Sequence, residues 1–187
     1  MKKLFTILTV VALTTTISFA QVQFGVKAGL NSSTLVTTED IADGARLGMQ
    51  FGFATIIPFG DVVQLRTGAM YSQKGASDGD GDVLALDYLE MPADFAFMIG
   101  GGGFALSAGP YLGFLMSATG EDGDDISDFF NGIDMGVNLG ASYTIAESMI
   151  IDARYSMGLM DITGDDLGDD VDVNGGLQVS FAYTFGG

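Results

Sequence analysis

Ile133-Asp-Met-Gly-Val-Asn-Leu-Gly-Ala-Ser-Tyr-Thr-Ile145 changes character at every step. Ile133, Met135, Val137, Leu139, Ala141 and Tyr143 are apolar or aromatic, whereas Asp134, Gly136, Asn138, Gly140 and Ser142 are small or polar. Only an extended chain sends successive side chains to opposite faces, so the stretch predicts a strand with one oily and one polar side. Seven other segments read the same way. Val22 to Asn31 sets Val22, Phe24, Val26, Ala28 and Leu30 against Gln23, Lys27 and Asn31. Ala45 to Ile57 sets Leu47, Met49, Phe51 and Phe53 against Arg46, Gly48, Gln50 and Gly52. Strands are likewise expected over Val62 to Gln73, Val83 to Met98, Phe104 to Ser117, Met149 to Asp161 and Val173 to Phe185.

The connections alternate too. Ser32 to Gly44, Lys74 to Asp82, Ala118 to Gly132 and Ile162 to Asp172 are long; Pro58 to Asp61, Ile99 to Gly103 and Ala146 to Ser148 are short. Strands that cross a bilayer at a tilt need about 9–11 residues. Outer-membrane barrels pair short periplasmic turns with longer outer loops and use an even strand number. The expected fold is therefore all-β: an eight-stranded antiparallel up-and-down transmembrane β-barrel, placed in the outer membrane as a multi-pass protein. Phe95 to Gly120 carries no charge and is long enough for a membrane helix. However, each of Gly100 to Gly103 would cost a helix about 1 kcal/mol relative to alanine, whereas together they suit a tight turn.

Met1-Lys2-Lys3, the apolar run Leu4 to Ile17 and the small-residue site Ser18-Phe19-Ala20 have the order of a cleaved signal peptide. The expected division is a signal peptide over 1–20 and one barrel domain over 21–187. Cysteine is absent, which excludes disulfides and thiolate metal sites. Without Lys2 and Lys3, 5 basic residues face 24 acidic ones, a net charge of −19, so nucleic acid is not an expected partner.

That charge is segregated. Lys27, Arg46, Arg66 and Arg154, with Glu90, Asp94, Asp134 and Asp152, all fall on the polar parity of their strands. An eight-stranded barrel is only wide enough for its own side chains or one small ligand. These residues are expected to form an ion-pair network that plugs the lumen, because buried charges need partners. Phe24, Phe97, Phe104, Tyr143, Tyr183 and Phe185 lie on the oily parity near the short-turn ends, as an interfacial aromatic belt would. Sixteen of the 24 acidic residues sit in the four long connections. Among them, Asp78-Gly-Asp80-Gly-Asp82 opens like a calcium loop. It then has Val83 where the obligatory glycine belongs and Leu89 where the twelfth-position glutamate belongs. Asp78, Asp80 and Asp82 are the candidate metal ligands. No bound cofactor is expected beyond loosely held Ca²⁺ or Mg²⁺ that would link the acidic rim to lipopolysaccharide phosphates.

Phe24-Gly-Val-Lys-Ala-Gly-Leu-Asn31, Tyr71-Ser-Gln-Lys-Gly-Ala76, Tyr88-Leu-Glu-Met-Pro92, Gly109-Pro-Tyr-Leu-Gly113 and Ala153-Arg-Tyr-Ser-Met-Gly-Leu159 follow one another along the chain. In order and spacing they resemble the PorT-like outer-membrane β-barrel family of Gram-negative bacteria. The resemblance implies an eight-stranded outer-membrane barrel and little about activity. An enzyme is not expected, since small barrel hydrolases and acyltransferases recruit histidine as base, and this chain has none. The expected role is structural or interactive, with outer-membrane lipid, lipopolysaccharide and other envelope proteins as partners. Porin-like passive conduction of small solutes is one alternative. The other is a soluble periplasmic barrel of lipocalin type, whose oily parity would face inward.

Overall fold

The structure, a computed structural model, describes residues 22–36, 44–77, 82–162 and 173–185. The signal-peptide segment and residues 163–172 lie outside the described residues, as do Asp78 and Asp80. Eight strands follow in chain order: β1 (Gln23–Val36), β2 (Gly44–Phe59), β3 (Val63–Ser77), β4 (Asp82–Ile99), β5 (Phe104–Gly120), β6 (Ile133–Ala146), β7 (Met149–Gly158) and β8 (Val173–Phe185). Each pairs antiparallel with its sequence neighbours, and β1 closes on β8 from Phe24↔Phe185 to Val36↔Val173. Closure leaves no strand edge unpaired.

The uncharged stretch from Phe95 to Gly120 is the β4–β5 hairpin, with Ile99 opposite Phe104. Its turn needs glycine: Gly100, Gly101 and Gly103 have φ of 70°, 67° and 84°, where a Cβ would be strained. Among the described residues no helix is long and apolar enough to cross a membrane.

Oily side chains face out. Phe53 is 70% exposed and Leu139 58%, whereas their polar-parity neighbours Gln50 and Asn138 are buried. On β4 the outward run from Leu89 through Met91, Ala93, Phe95 and Phe97 to Ile99 spans ten residue steps. At about 3.4 Å per step and a tilt of about 40°, that is roughly 25 Å, the height of an outer-membrane barrel's apolar band. Two residues further out, Asp87 accepts a 2.5 Å hydrogen bond from the Tyr71 hydroxyl, which marks the polar limit of the band.

Several strands outrun that band. β1 continues to Val36 rather than stopping at Asn31, β3 to Ser77 rather than Gln73, and β5 to Gly120 rather than Ser117. The cause is a change of interior. Beyond the charged zone the inner face turns apolar, with Leu84, Leu86, Tyr88, Ala118 and Ile162 packed against Leu35, Leu115, Ile126 and Phe130. A register shift on β5 assists it: Asp87 pairs with Ser117 but Tyr88 with Leu115, so Met116 bulges outward and Ala118 turns in. β7, by contrast, ends at Gly158 rather than Asp161. The chain leaves the ladder there so that Ile162, fully buried, caps this plug while its carbonyl accepts the Asn131 amide at 2.7 Å.

Candidate functional site in the barrel lumen

The lumen charges fall into two groups. Toward the long loops, Lys74 Nζ lies 2.6 Å from Glu90 and 3.4 Å from Asp134. The ammonium also stands 4.6 Å from the Tyr111 ring centroid and 5.5 Å from that of Tyr88, so two carboxylates and two aromatic faces enclose it. Asp134 is fully buried and accepts further hydrogen bonds from Tyr111 Oη (3.2 Å) and Asn174 Nδ2 (3.1 Å). Gly136 makes this cage fit, because a Cβ there would stand 2.5 Å from the Tyr111 ring. Above the cage, Arg46 Nη1 donates to the Lys74 carbonyl at 2.7 Å.

Toward the short turns, Lys27 pairs with Asp152 at 2.7 Å, and Arg154 pairs with Asp94 at 3.0 Å and reaches Asp152 at 3.7 Å. Asn138 Nδ2 donates to Asp94 at 3.0 Å, and Asn138 Oδ1 accepts from Ser156 Oγ at 2.8 Å. Arg66 differs: its guanidinium donates to Ser142 Oγ at 2.7 Å and to Gln64 Oε1 at 3.3–3.4 Å, all neutral acceptors. Ile56, Ile150 and Ala182 form an apolar cap on the neighbouring wall.

The structure thus brings Glu90 to Asp134 through Lys74, and Lys27, Asp94, Asp152 and Arg154 into one chain of ion pairs. Arg46 and Arg66 also line the inner side, Arg46 donating to the Lys74 carbonyl and Arg66 to Ser142 and Gln64. Lys74, which opens the expected second long connection, is instead a lumen residue of β3 that sequence reasoning missed. The signal was present, since Gln64, Arg66, Ser72 and Lys74 share one parity and one more residue in the strand reaches Lys74. Tyr111, opposite Gly136, was equally readable from its neighbour's missing side chain.

Little space remains inside. Lumen cavities of about 50 Å³, 10 Å³ and 10 Å³ lie among these side chains, room for a few waters in the first and at most one in each of the others. Glu90, Asp94, Asp134 and Asp152 are each held by a lumen cation.

Of the acidic connections, the one after β5 is described most fully. Glu121, Asp122, Asp124, Asp125 and Asp128 are all exposed. A short 3₁₀ turn at Ser127–Phe129 follows, and Asp125 Oδ1 accepts from the Ser127 hydroxyl (2.7 Å) and amide (3.0 Å). Those bonds hold the Asp125 carboxyl below the usual carboxylate range, the side-chain bond contributing most. Ser127 Oγ accepts in turn from the Ala118 amide at 2.9 Å, which ties the loop to the plug. Among the described residues no group of three or more metal-ligating side chains is assembled, and Asp82 opens β4.

Among solved structures the chain resembles Neisserial surface protein A, with 18% identity, 87% of this chain and 97% of that one covered, and a TM-score of 0.62. It also resembles Ail, the attachment invasion locus protein of Yersinia pestis, in complex with the heparin analogue sucrose octasulfate. There identity is 14%, coverage 88% and 99%, and the TM-score 0.54. At such identities these likenesses concern the fold alone. Among curated proteins none matches this sequence. Residues 19–164 match the pattern of the family described as outer membrane protein beta-barrel domain, more than three-quarters of the chain. The chain therefore belongs to that family and is an eight-stranded barrel of the outer membrane.

Proposed function

We propose that this barrel is sealed and acts from its surface, presenting an acidic outer rim to bind its surroundings rather than conducting or catalysing. The observation that carries this reading is the apolar plug at the long-loop end, where Leu86, Tyr88, Ala118 and Ile162 have no exposed surface. An ion crossing there would lose its hydration among side chains that offer little in return. The ionic lattice beneath it, interrupted by cavities of about 50 Å³ and 10 Å³, supports the same conclusion. Purified protein in planar bilayers is expected to show no reproducible current steps; discrete conductance would favour the porin-like alternative.

Binding falls to the rim. Its exposed carboxylates repel anionic lipopolysaccharide phosphates, so contact requires Ca²⁺ or Mg²⁺ between them. Phe129, 47% exposed in the same loop, offers an aromatic anchor for an envelope protein. Millimolar calcium should raise the unfolding midpoint in lipopolysaccharide-containing bilayers and not in zwitterionic ones; no difference would remove the cation bridge. The ordered motifs from Phe24 to Leu159 support a place near the PorT-like barrels. The absence of histidine and the pairing of Glu90, Asp94, Asp134 and Asp152 with lumen cations support a non-enzymatic role.

A further inference from the structure

On the outer wall, side chains of β8, β1, β2, β3 and β4 form two rows that cross the strands. One runs Leu89, Tyr71, Phe51, Ala28, Phe181, each residue paired in register with the next. The other, two residues nearer the short turns on each strand, runs Ala69, Phe53, Val26, Tyr183. Between the rows lies an open groove of about 680 Å³. Small residues widen it: Ala28 stands where the upper row has Phe51 on one side and Phe181 on the other, and Ala69 stands beside Phe53. Lys27 also borders the groove but turns its ammonium inward to Asp152, so it brings no charge there. The Phe51 and Tyr71 rings lie 5.2 Å apart and the Tyr71 hydroxyl is held by Asp87, which fixes the upper wall in place.

The groove runs obliquely through the apolar band. Leu89 stands ten residues above the short-turn end of β4 at Ile99, whereas Phe181 stands four above the end of β8 at Phe185. The upper end therefore meets the polar limit at Asp87, and the lower end reaches Tyr183, which pairs with Met149 at the start of β7. Five strands are separated by four spacings of about 4.8 Å, so the row is about 19 Å long. Lying perpendicular to strands tilted by about 40°, it drops about 12 Å. One leaflet of a hydrocarbon core about 30 Å thick is about 15 Å deep, so the groove follows a single leaflet downward. At about 30 Å³ per methylene-sized group, the share of one water molecule in the liquid, the volume holds roughly twenty such groups, one chain rather than two.

We propose that this groove docks one acyl chain of lipopolysaccharide, which enters from the outer leaflet between Leu89 and Tyr71 and lies along the groove toward Tyr183. Continuity with the surrounding wall names the occupant. Phe51, Phe53 and Val26 belong to the oily belt that already meets hydrocarbon, and the groove opens at its upper end into the outer leaflet, where lipopolysaccharide is the resident lipid. A second barrel would present a convex wall, bridge the two rows and leave the recess between them unfilled. Lipid tails are as apolar as these side chains, so the hydrophobic effect adds nothing. The preference comes from packing against rings held in fixed positions. No divalent cation takes part, which separates this site from the bridging at the acidic rim.

The test is electron spin resonance of the full chain in phosphatidylcholine vesicles with EDTA, doped with a trace of either chain-labelled lipopolysaccharide or chain-labelled phosphatidylcholine. The motionally restricted fraction should be about two- to threefold larger for lipopolysaccharide, a preference of the size that packing alone supplies. Ala28→Phe together with Ala69→Phe fills the groove and should bring that fraction down to the phosphatidylcholine value. Equal fractions for the two lipids in the wild type, or a preference that survives the double substitution, overturns the proposal. Should the double variant fail to fold, magnetisation transfer to labelled alanine methyls of the wild-type chain decides. Transfer from lipopolysaccharide methylenes should be stronger at Ala28 and Ala69 than at outward-facing Ala153, whose cross-strand neighbours Ala141 and Val179 build no aromatic walls. Equal transfer at all three, stronger transfer from phosphatidylcholine, or exclusion of both lipids from Ala28, as a second barrel seated there would cause, refutes it.

Discussion

Lys74→Met removes the one cation that Glu90 and Asp134 share and keeps a side chain of similar length. The ammonium is 96% buried, and Glu90 and Asp134 are 93% and 100% buried. Removing one partner of such a buried pair costs about 3–5 kcal/mol, because the orphaned carboxylate must be desolvated without compensation. The Tyr88 and Tyr111 faces add cation–π attraction of about 0.5–2 kcal/mol. Against this, Asp134 keeps its bonds from Tyr111 and Asn174, which softens its half of the loss. The expected destabilisation is therefore about 3–5 kcal/mol, a more than hundredfold fall in the folding constant. Reversible urea unfolding in detergent measures it, followed by far-ultraviolet circular dichroism and by the mobility of unboiled protein on gels. Glu90→Gln in the Lys74→Met background should then cost much less than in the wild type, a coupling of about 1.5–3 kcal/mol. A loss below about 1 kcal/mol, or additive single changes, would refute the view that this cage is an essential ionic core.

Three further outcomes follow from the geometry. Gly136→Ala drives a methyl group into the Met157 carbonyl oxygen of β7 and against the Tyr111 ring and should destabilise by about 1–3 kcal/mol in the same urea assay; an unchanged stability would refute the close approach of β6 to both. Phe53→Arg, on the 70% exposed outer face, should cost about 2–4 kcal/mol in lipid near the midplane, measured by folding into vesicles; in a soluble barrel such a surface change would stay within about 0.5 kcal/mol. Asp125 has a depressed pKa in the folded loop, so its contribution is complete above the unfolded carboxylate value and disappears as pH falls through the folded one. Amide-exchange protection of Ser127 should decline in acid in the wild type, and Asp125→Asn should make it independent of pH over that window.

The transmembrane part was legible because alternation, turn length and the parity of charge all pointed to one arrangement. Lys27 and Asp152, or Arg154 and Asp94, are separated by many residues in sequence, yet parity alone put them on the inner wall. Where a second physical regime begins, the signal reversed. Above the polar limit at Asp87 the inner face becomes apolar, so Leu84, Leu86 and Leu35 sit where the lower barrel carries polar groups. Strand limits set where the outward oily alternation stops, at Asn31 and Gln73, fall short of the ends of β1 and β3 and leave Lys74 outside the lumen. The bulge at Met116 compounds this, because one inserted residue exchanges the two faces of β5 and no pattern of period two can continue through it. Ion-pair partners were beyond sequence as well: register and barrel curvature choose between Glu90 and Asp94 for a given cation.

The chain has no cysteine, so each introduced one is a unique attachment point. Nitroxide labels placed singly from position 133 to 145 in reconstituted vesicles, with collision rates against oxygen and a water-soluble nickel complex, read out which face meets lipid. The structure predicts a period of two, with oxygen access high at Ile133, Met135, Leu139 and Tyr143 and both reagents excluded at Asp134, Asn138 and Ser142. The opposite phase, with the nickel complex reaching Asn138 and Ser142 while Leu139 is shielded, would contradict an outward-facing oily surface.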